Sequence, residues 1–223
     1  MRAWQLLSVA LLLAFVLVVR ADAAAAAAAA PQLALLKPMC TALLLSLTVP
    51  AALDGNDAYA RWVTLALLLS FAGELLLQRS DPRFLTGFLA IVLARLAYLA
   101  AFTRDGGFST GGTTGRTLAA LGATLMALLW PALGPLRLPV LAYMLVLLVM
   151  AWQALERSRQ GAHDGAWWAA VGAVLLVASD AALGVARFRG DFPGARGVVL
   201  ATYYLAQWMI ATSVLVRAGR LAR

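Results

Sequence analysis

Apolar runs long enough to cross a bilayer follow one another along most of this chain, and they leave few folds open to it. A membrane-spanning helix needs about 20 predominantly apolar residues. Of the 223 residues, 63% are hydrophobic and only 13% charged, more apolar surface than a soluble domain of this size can bury. The breaks between runs are short: Asp54, Gly55 and Asn56, then Asp81-Pro82, Pro135, and Asp191 to Gly194. They divide the chain into eight spans, near residues 4–19, 33–50, 58–78, 84–102, 117–134, 136–156, 166–186 and 197–216. In lipid only helices and closed barrels satisfy their own backbone. The expectation is therefore an all-α fold, a polytopic membrane bundle of about eight transmembrane helices, forming one integral membrane domain over residues 1–223.

Trp4, Trp62, Trp130, Trp152, Trp167 and Trp168 fall near predicted span ends, as an interfacial aromatic belt requires. Trp208 lies well inside the last span. Residues 1–23 read as the first transmembrane helix, with a cleaved signal peptide as the alternative. The alanine run from Ala23 to Ala30 is a helix extension or a linker. The net charge is +8, and the basic residues are spread through loops and tails without a long run. That pattern marks topology and contact with lipid headgroups, not nucleic acid. The basic residues lie slightly in excess on the side holding the N-terminus, which places that side in the cytoplasm of a bacterial-type cell membrane.

Several chemistries have no support. Cys40 is the only cysteine, so there is no internal disulfide. No His/Cys cluster offers a metal site, and no cofactor motif is present. Gly106, Gly107, Gly111, Gly112 and Gly115 lie in the longest connection, Thr103 to Arg116, with no preceding strand and no Gly-Lys-Ser/Thr, so they read as a flexible loop. His163 reads as a solvated loop residue, and no Gly-x-Ser-x-Gly elbow exists.

What remains is a set of ionisable residues inside spans: Lys37, Glu74, Arg95 and Asp180. A charge at bilayer depth costs roughly 2.5–3.5 kcal/mol on insertion scales, so its default reading is functional. Glu74 and Asp180 lie near the far ends of two spans that run in the same direction. At about 1.5 Å rise per residue both carboxylates fall ~6–9 Å inside the apolar zone, on the side opposite the N-terminus. Lys37, near the start of the second span, and Tyr203, Tyr204 and Gln207, early in the eighth, reach a similar layer. Tyr203 and Gln207 share a helix face. The interval from Glu74 to Tyr98 is 24 residues, as is that from Asp180 to Tyr204, which suggests that the third and fourth helices echo the seventh and eighth. The competing reading is structural: Lys37 with Glu74, or Arg95 with Asp180, as buried ion pairs that only fix helix packing.

The motifs, taken in order, carry a resemblance. Leu36-Lys37-Pro38 opens the second span, and Ser70-Phe71-Ala72-Gly73-Glu74-Leu75-Leu76-Leu77 closes the third. Phe84 and Gly87-Phe88 lead to Arg95, Tyr98 and Phe102; Gly172-Ala173 and Ser179-Asp180 lie in the seventh span, and Tyr203-Tyr204-Leu205-Ala206-Gln207 in the eighth. From about residue 33 to 216 this order resembles the YhhN family of membrane proteins, whose eukaryotic members are lysoplasmalogenases. The resemblance implies an eight-helix hydrolase that cleaves the vinyl ether bond of a lysophospholipid, with its two acidic positions at Glu74 and Asp180. The family usually has Asp where this chain has Glu74, and often His where it has Arg95. Arginine stays charged and cannot shuttle a proton near neutral pH.

Vinyl ether hydrolysis needs an acid that still holds its proton near neutral pH, which a desolvated site provides. It also needs a carboxylate to stabilise an oxocarbenium ion and take a proton from water, the logic of glycosidases. The expected catalytic pair is Glu74 and Asp180, one as acid and the other as base, an order the sequence leaves open; a pairing of Asp180 with Arg95 would make Glu74 the acid. Lys37 and Arg95 are the expected contacts for the substrate's polar head, and Tyr98, Tyr203, Tyr204 and Gln207 its positioning groups. The competing class is a non-catalytic lipid-binding or transport protein of the same fold. Headgroup, leaflet and oligomeric state are left open by the sequence.

Overall fold

The structure, a computed structural model, describes residues 36–54, 56–77, 84–162 and 165–219, apart from the side chains of Leu36, Lys37 and Phe84. The first predicted span, the alanine run, the Asp81-Pro82 break, His163 and the Lys37 side chain lie outside that description. Seven α-helices occupy the described residues: α1 (Leu36–Asp54), α2 (Ala58–Leu77), α3 (Phe84–Phe102), α4 (Thr113–Leu133), α5 (Arg137–Arg159), α6 (Ala166–Arg189) and α7 (Ala195–Arg217). They match the second to eighth expected spans. The fold is an all-α membrane bundle.

The stretch from Thr113 to Arg159 is 47 residues long and largely apolar. One helix of that length would be roughly twice the ~30 Å hydrocarbon core. It is instead broken by a 3₁₀ turn, Gly134–Leu136, with Gly134 at φ 50° and Pro135 in the turn, and α4 packs back on α5. The second expected span stops near residue 50, but the helix continues through Pro50 to Asp54. Proline is tolerated in membrane helices where neighbours re-satisfy the freed backbone groups. α6 runs past its apolar stretch to Arg189 and stops at Gly190, whose φ of 119° no other residue type adopts easily.

Six of the helices close a ring. α1 packs on α2, α2 on α3, α3 on α5, α5 on α6, α6 on α7, and α7 returns to α1, while α2 and α7 also touch across it. α4 stands outside, against α5 and α6. Small residues fill the interior: Ala60, Ala66, Ala97, Ala151, Ala173 and Ala206 are all buried. Lipid offers no hydrophobic drive for helices to associate, so close backbone approach has to supply the packing energy. The outward leucines, such as Leu85 and Leu89 of α3, remain exposed, as a lipid-facing surface requires.

The two most intimately packed pairs are α2 with α3 and α6 with α7, the pairs that the 24-residue intervals single out. A glycine sits at each contact. A Cβ on Gly73 would lie 2.7 Å from Ile91, and one on Gly172 would lie 2.7 Å from Ile210 Cγ1 and 2.8 Å from the Ala206 carbonyl oxygen. The tryptophan inside the last span also finds its reason: Trp208 meets Trp168 edge to face, with ring centroids 5.8 Å apart.

A polar clasp joins helix ends at one face of the bundle. Asp105 accepts from Arg157 Nε (3.1 Å) and Nη2 (2.5 Å) and from Arg217 Nη1 (2.5 Å), while Arg217 Nε donates to Asp57 (2.8 Å). Both guanidinium groups lie over the ring of Tyr59, at 4.2 and 5.1 Å. The Tyr59 hydroxyl is 2.5 Å from Ser213 Oγ. The connection after α3, read from the sequence as a flexible loop, is attached to the bundle at two points. Asp105 anchors one end, and Gln153 holds Ser109 by both backbone groups, accepting from its N–H (2.8 Å) and donating to its carbonyl (3.0 Å). Partial burial disfavours the Asp105 carboxylate, but the Arg217 and Arg157 guanidiniums outweigh it and hold the carboxyl below its ordinary value of 3.8.

Two outcomes test this packing. Gly172→Ala meets backbone that cannot yield, so it should destabilise the bundle by about 1–3 kcal/mol in detergent unfolding, whereas Gly111→Ala, with nothing within 4 Å, should leave it unchanged. Asp105→Asn should lower the unfolding temperature at pH 7. A carboxyl depressed in the folded state stabilises above its unfolded pKa and loses that effect as pH falls through the folded one. The difference from the parent protein should therefore vanish as the pH drops below 3.8.

Candidate active site

A second set of polar side chains lies apart from the clasp, and each of the six ring helices contributes to it. α1 supplies Thr41, α2 Ser70 and Glu74, α3 Arg95 and Tyr98, α5 Tyr143, α6 Asp180, and α7 Tyr203, Tyr204 and Gln207. α4, outside the ring, makes none of these bonds.

Glu74 sits three residues before the end of α2, directly after the glycine that lets α3 approach. Its Oε1 accepts from Thr41 Oγ1 and from the Tyr203 hydroxyl, each at 2.8 Å, and the Tyr204 hydroxyl stands 3.5 Å from Oε2. The rings of Tyr203 and Tyr204 meet edge to face at 5.1 Å. These neighbours come from α1 and α7, the two helices at which the ring closes, both of which touch α2.

Asp180 forms the second half. Arg95 Nη2 donates to its Oδ2 at 3.1 Å, and the Tyr143 hydroxyl donates to the same oxygen at 2.6 Å. Arg95 is only 1% exposed and Asp180 13%, so the pair is desolvated but the acid keeps an open edge. Oδ1 of Asp180 accepts nothing from any described residue, and Nε and Nη1 of Arg95 have no hydrogen-bond partner among them. The Tyr143 ring leans on Phe88 at 5.5 Å. Ser179, the neighbour of Asp180, donates to the Val199 carbonyl (2.9 Å) and pins α6 to α7 at this level.

Tyr203 connects the halves. Its hydroxyl bonds Glu74 and lies within electrostatic reach of Arg95. Beneath them is a sealed strut: Tyr98 donates to Gln207 Oε1, and Gln207 Nε2 donates to Ser70 Oγ (3.3 Å). Tyr98 stacks on Phe102 at 6.0 Å. Tyr98 and Gln207 have no exposed surface, whereas Glu74, Asp180, Tyr143 and Tyr203 are half-buried.

The expected convergence of Glu74, Arg95, Tyr98, Asp180, Tyr203, Tyr204 and Gln207 thus has a geometric counterpart. One detail differs. Asp180 lies nine residues before the end of α6, deeper from its helix end than Glu74, because α6 carries two arginines beyond its apolar stretch. The Lys37 side chain lies outside the described residues. Two partners escaped the sequence reading, Thr41 and Tyr143. Thr41 is the sixth residue of α1 and Tyr143 the seventh of α5, so the depth argument applied to every hydroxyl finds them. Among the described residues no group of three His, Cys, Asp or Glu side chains could hold a metal ion. Two half-buried carboxyls, Glu74 with three hydroxyls beside it and Asp180 beside Arg95, are side chains of the type that exchange protons in acid/base chemistry.

Comparison with known proteins agrees with this picture. The profile described as the YhhN family matches residues 32–214. The pig protein named lysoplasmalogenase TMEM86B is 35% identical over 78% of this chain and 73% of its own length. The human protein named lysoplasmalogenase TMEM86A is 28% identical over 68% of this chain. The matched region spans 64% of the length of that human protein. The membrane protein YhhN of Escherichia coli O6:H1 is 29% identical over 80% of this chain and 85% of its own length. No solved structure matches. The chain is a multi-pass integral membrane protein.

Breaking the buried pair one partner at a time should show its structural share. Arg95→Leu and Asp180→Leu should each destabilise by about 3–5 kcal/mol, and the double substitution should recover most of the loss, because only the single variants leave a buried charge uncompensated. Unfolding free energies in one detergent measure this; equal losses in all three proteins would refute it.

Proposed function

We propose that this chain, which belongs to the YhhN family, is a membrane-embedded hydrolase that cleaves the vinyl ether bond of lysoplasmalogen-like lysophospholipids. The products are a fatty aldehyde and a glycerophospho-base. The observation that carries the reading is the pair of unlike carboxyls in one layer: Glu74 among three hydroxyls and Asp180 tied to the permanent charge of Arg95. Relatives named lysoplasmalogenase support the activity class.

In this reading Glu74 is the acid and Asp180 the base. Glu74 gives its proton to the alkene carbon, and the ether oxygen stabilises the resulting oxocarbenium ion. The Asp180 carboxylate faces that cation and removes a proton from the water that attacks it, which yields a hemiacetal. In the collapse Glu74 takes the hemiacetal hydroxyl proton, and Asp180 returns its own to the departing glycerol oxygen. Both groups end as they began. Arg95 pairs with Asp180 and keeps its own positive charge throughout the cycle, because a guanidinium does not titrate near neutral pH. Tyr203 and Tyr204 hold Glu74 in place, and the Tyr98–Gln207–Ser70 strut fixes the height of α3 against α7 and α2. Lys37, at the entry of α1, meets the substrate phosphate. The protein lies in a bacterial-type cell membrane with its N-terminal side in the cytoplasm.

The test is aldehyde release from a lysoplasmalogen by the purified protein in detergent. The parent protein should be active, and Glu74→Gln and Asp180→Asn should each lose about 10²–10⁴-fold in kcat, the usual share of a general acid or base. A well-folded parent that releases no aldehyde sinks the hydrolase reading and leaves lipid binding or transport.

A further inference from the structure

We propose that Tyr143 is a positioning residue of this site: together with Arg95 it locks one oxygen of Asp180 and thereby turns the other, Oδ1, towards the substrate as the atom that receives the proton from water. The inference rests on the hydrolase reading and extends it to a residue that lies on none of the sequence motifs.

The argument begins with the asymmetry of Asp180. Both protein donors end on Oδ2, at 2.6 Å from Tyr143 and 3.1 Å from Arg95. An aspartate has one torsion between its backbone-linked carbon and its carboxyl plane, so fixing one oxygen from two directions fixes the other. The donors arrive from different helices, Tyr143 from α5 and Arg95 from α3, which pack on each other. Neither donor can drift independently. The Tyr143 ring is held by Phe88, and Arg95 is buried among the same helices. Among the described residues none donates to Oδ1, on a residue that keeps some exposure.

The chemistry explains why this matters. A carboxylate that must both face a cation and collect a proton from water has to present a lone pair at a defined place, because a misplacement of about 1 Å can cost a hundredfold in rate. A guanidinium alone leaves the carboxyl free to rotate about the single contact. A second donor on the same oxygen removes that freedom and leaves the accepting oxygen unencumbered. The proton passes from water to Oδ1 as the new C–O bond forms, and Oδ1 later hands it to the leaving glycerol oxygen. The hydroxyl of Tyr143 keeps its own proton throughout.

Tyr143→Phe retains the ring and its contact with Phe88 and removes only the donor. With the proposal correct, kcat for lysoplasmalogen falls about 10- to 100-fold, the share of one hydrogen bond to a charged group. KM and the unfolding temperature stay as in the parent protein. In the Asp180→Asn background the same substitution causes little further loss, because a residue that acts through Asp180 has nothing left to position. If Tyr143→Phe does not fold, 3-fluorotyrosine at 143 carries the test: an altered kcat at unchanged KM supports the proposal and an unaltered kcat overturns it. An active parent with unchanged kcat in Tyr143→Phe overturns this inference and leaves the hydrolase reading intact. A raised KM at constant kcat also overturns it, since Tyr143 would then be a substrate contact. An inactive parent removes both.

Discussion

A guanidinium with almost no exposed surface lies inside an apolar bundle, and the architecture around it follows from the need to answer its charge. Arg95 is the single charged residue of α3, and its counter-ion stands on α6, 85 positions further along the chain. A buried pair of this kind is weak evidence for stability, because desolvation consumes most of what attraction returns. What it does supply is a fixed relation between two helices that otherwise present smooth apolar faces to each other. Tyr143 tightens that relation from α5, and Tyr203 extends it to Glu74.

The bundle keeps its polar groups in two layers with different characters. At one face Asp57, Asp105, Arg157 and Arg217 form a chain of salt bridges at helix ends and along the connection between α3 and α4. That layer closes on itself. At the other, the carboxyls of Glu74 and Asp180 are held by hydroxyls and one arginine and keep partial exposure. Packing of small residues between the layers separates them: Ala66, Ala97, Ala151 and Ala173 let the six ring helices approach closely. Ion pairs are concentrated at the clasp, and the two carboxyls sit where side chains of different helices reach each other across the ring.

Much of this was legible in the sequence, and for a physical reason. Helices in a membrane run nearly straight from one face to the other, so position along a span translates into depth, and depth alone brings Glu74, Asp180, Tyr203 and Gln207 into one half of the bundle. Helix ends were less legible. Gly190 rather than hydropathy ends α6, and Pro50 fails to end α1. Thr41 and Tyr143 were passed over because hydroxyls are common in apolar helices and carry no charge to draw notice. The rotational setting of each helix, which decides that Tyr143 and not another residue of α5 meets Asp180, depends on how α5 packs between α3 and α6. No local pattern in α5 encodes that. The reach of Arg157 to Asp105 is of the same kind, since it links a helix end to a connection 52 residues earlier.

The order of the partners along the chain has a consequence for biosynthesis. Glu74 and Arg95 emerge from the ribosome well before Asp180, Tyr203 and Tyr204, which stand on the last two helices. A membrane helix enters the bilayer while its later neighbours are still being made, so α3 must be inserted with its arginine unanswered. An unpaired arginine at that depth disfavours insertion by roughly 2.5–3.5 kcal/mol, and the other residues of Phe84–Phe102, all uncharged, are what carry it in. The polar layer is therefore assembled last. It comes into being when α6 and α7 dock and the ring closes against α1, so a nascent chain that lacks those two helices holds Arg95 without Asp180 and Glu74 without Tyr203.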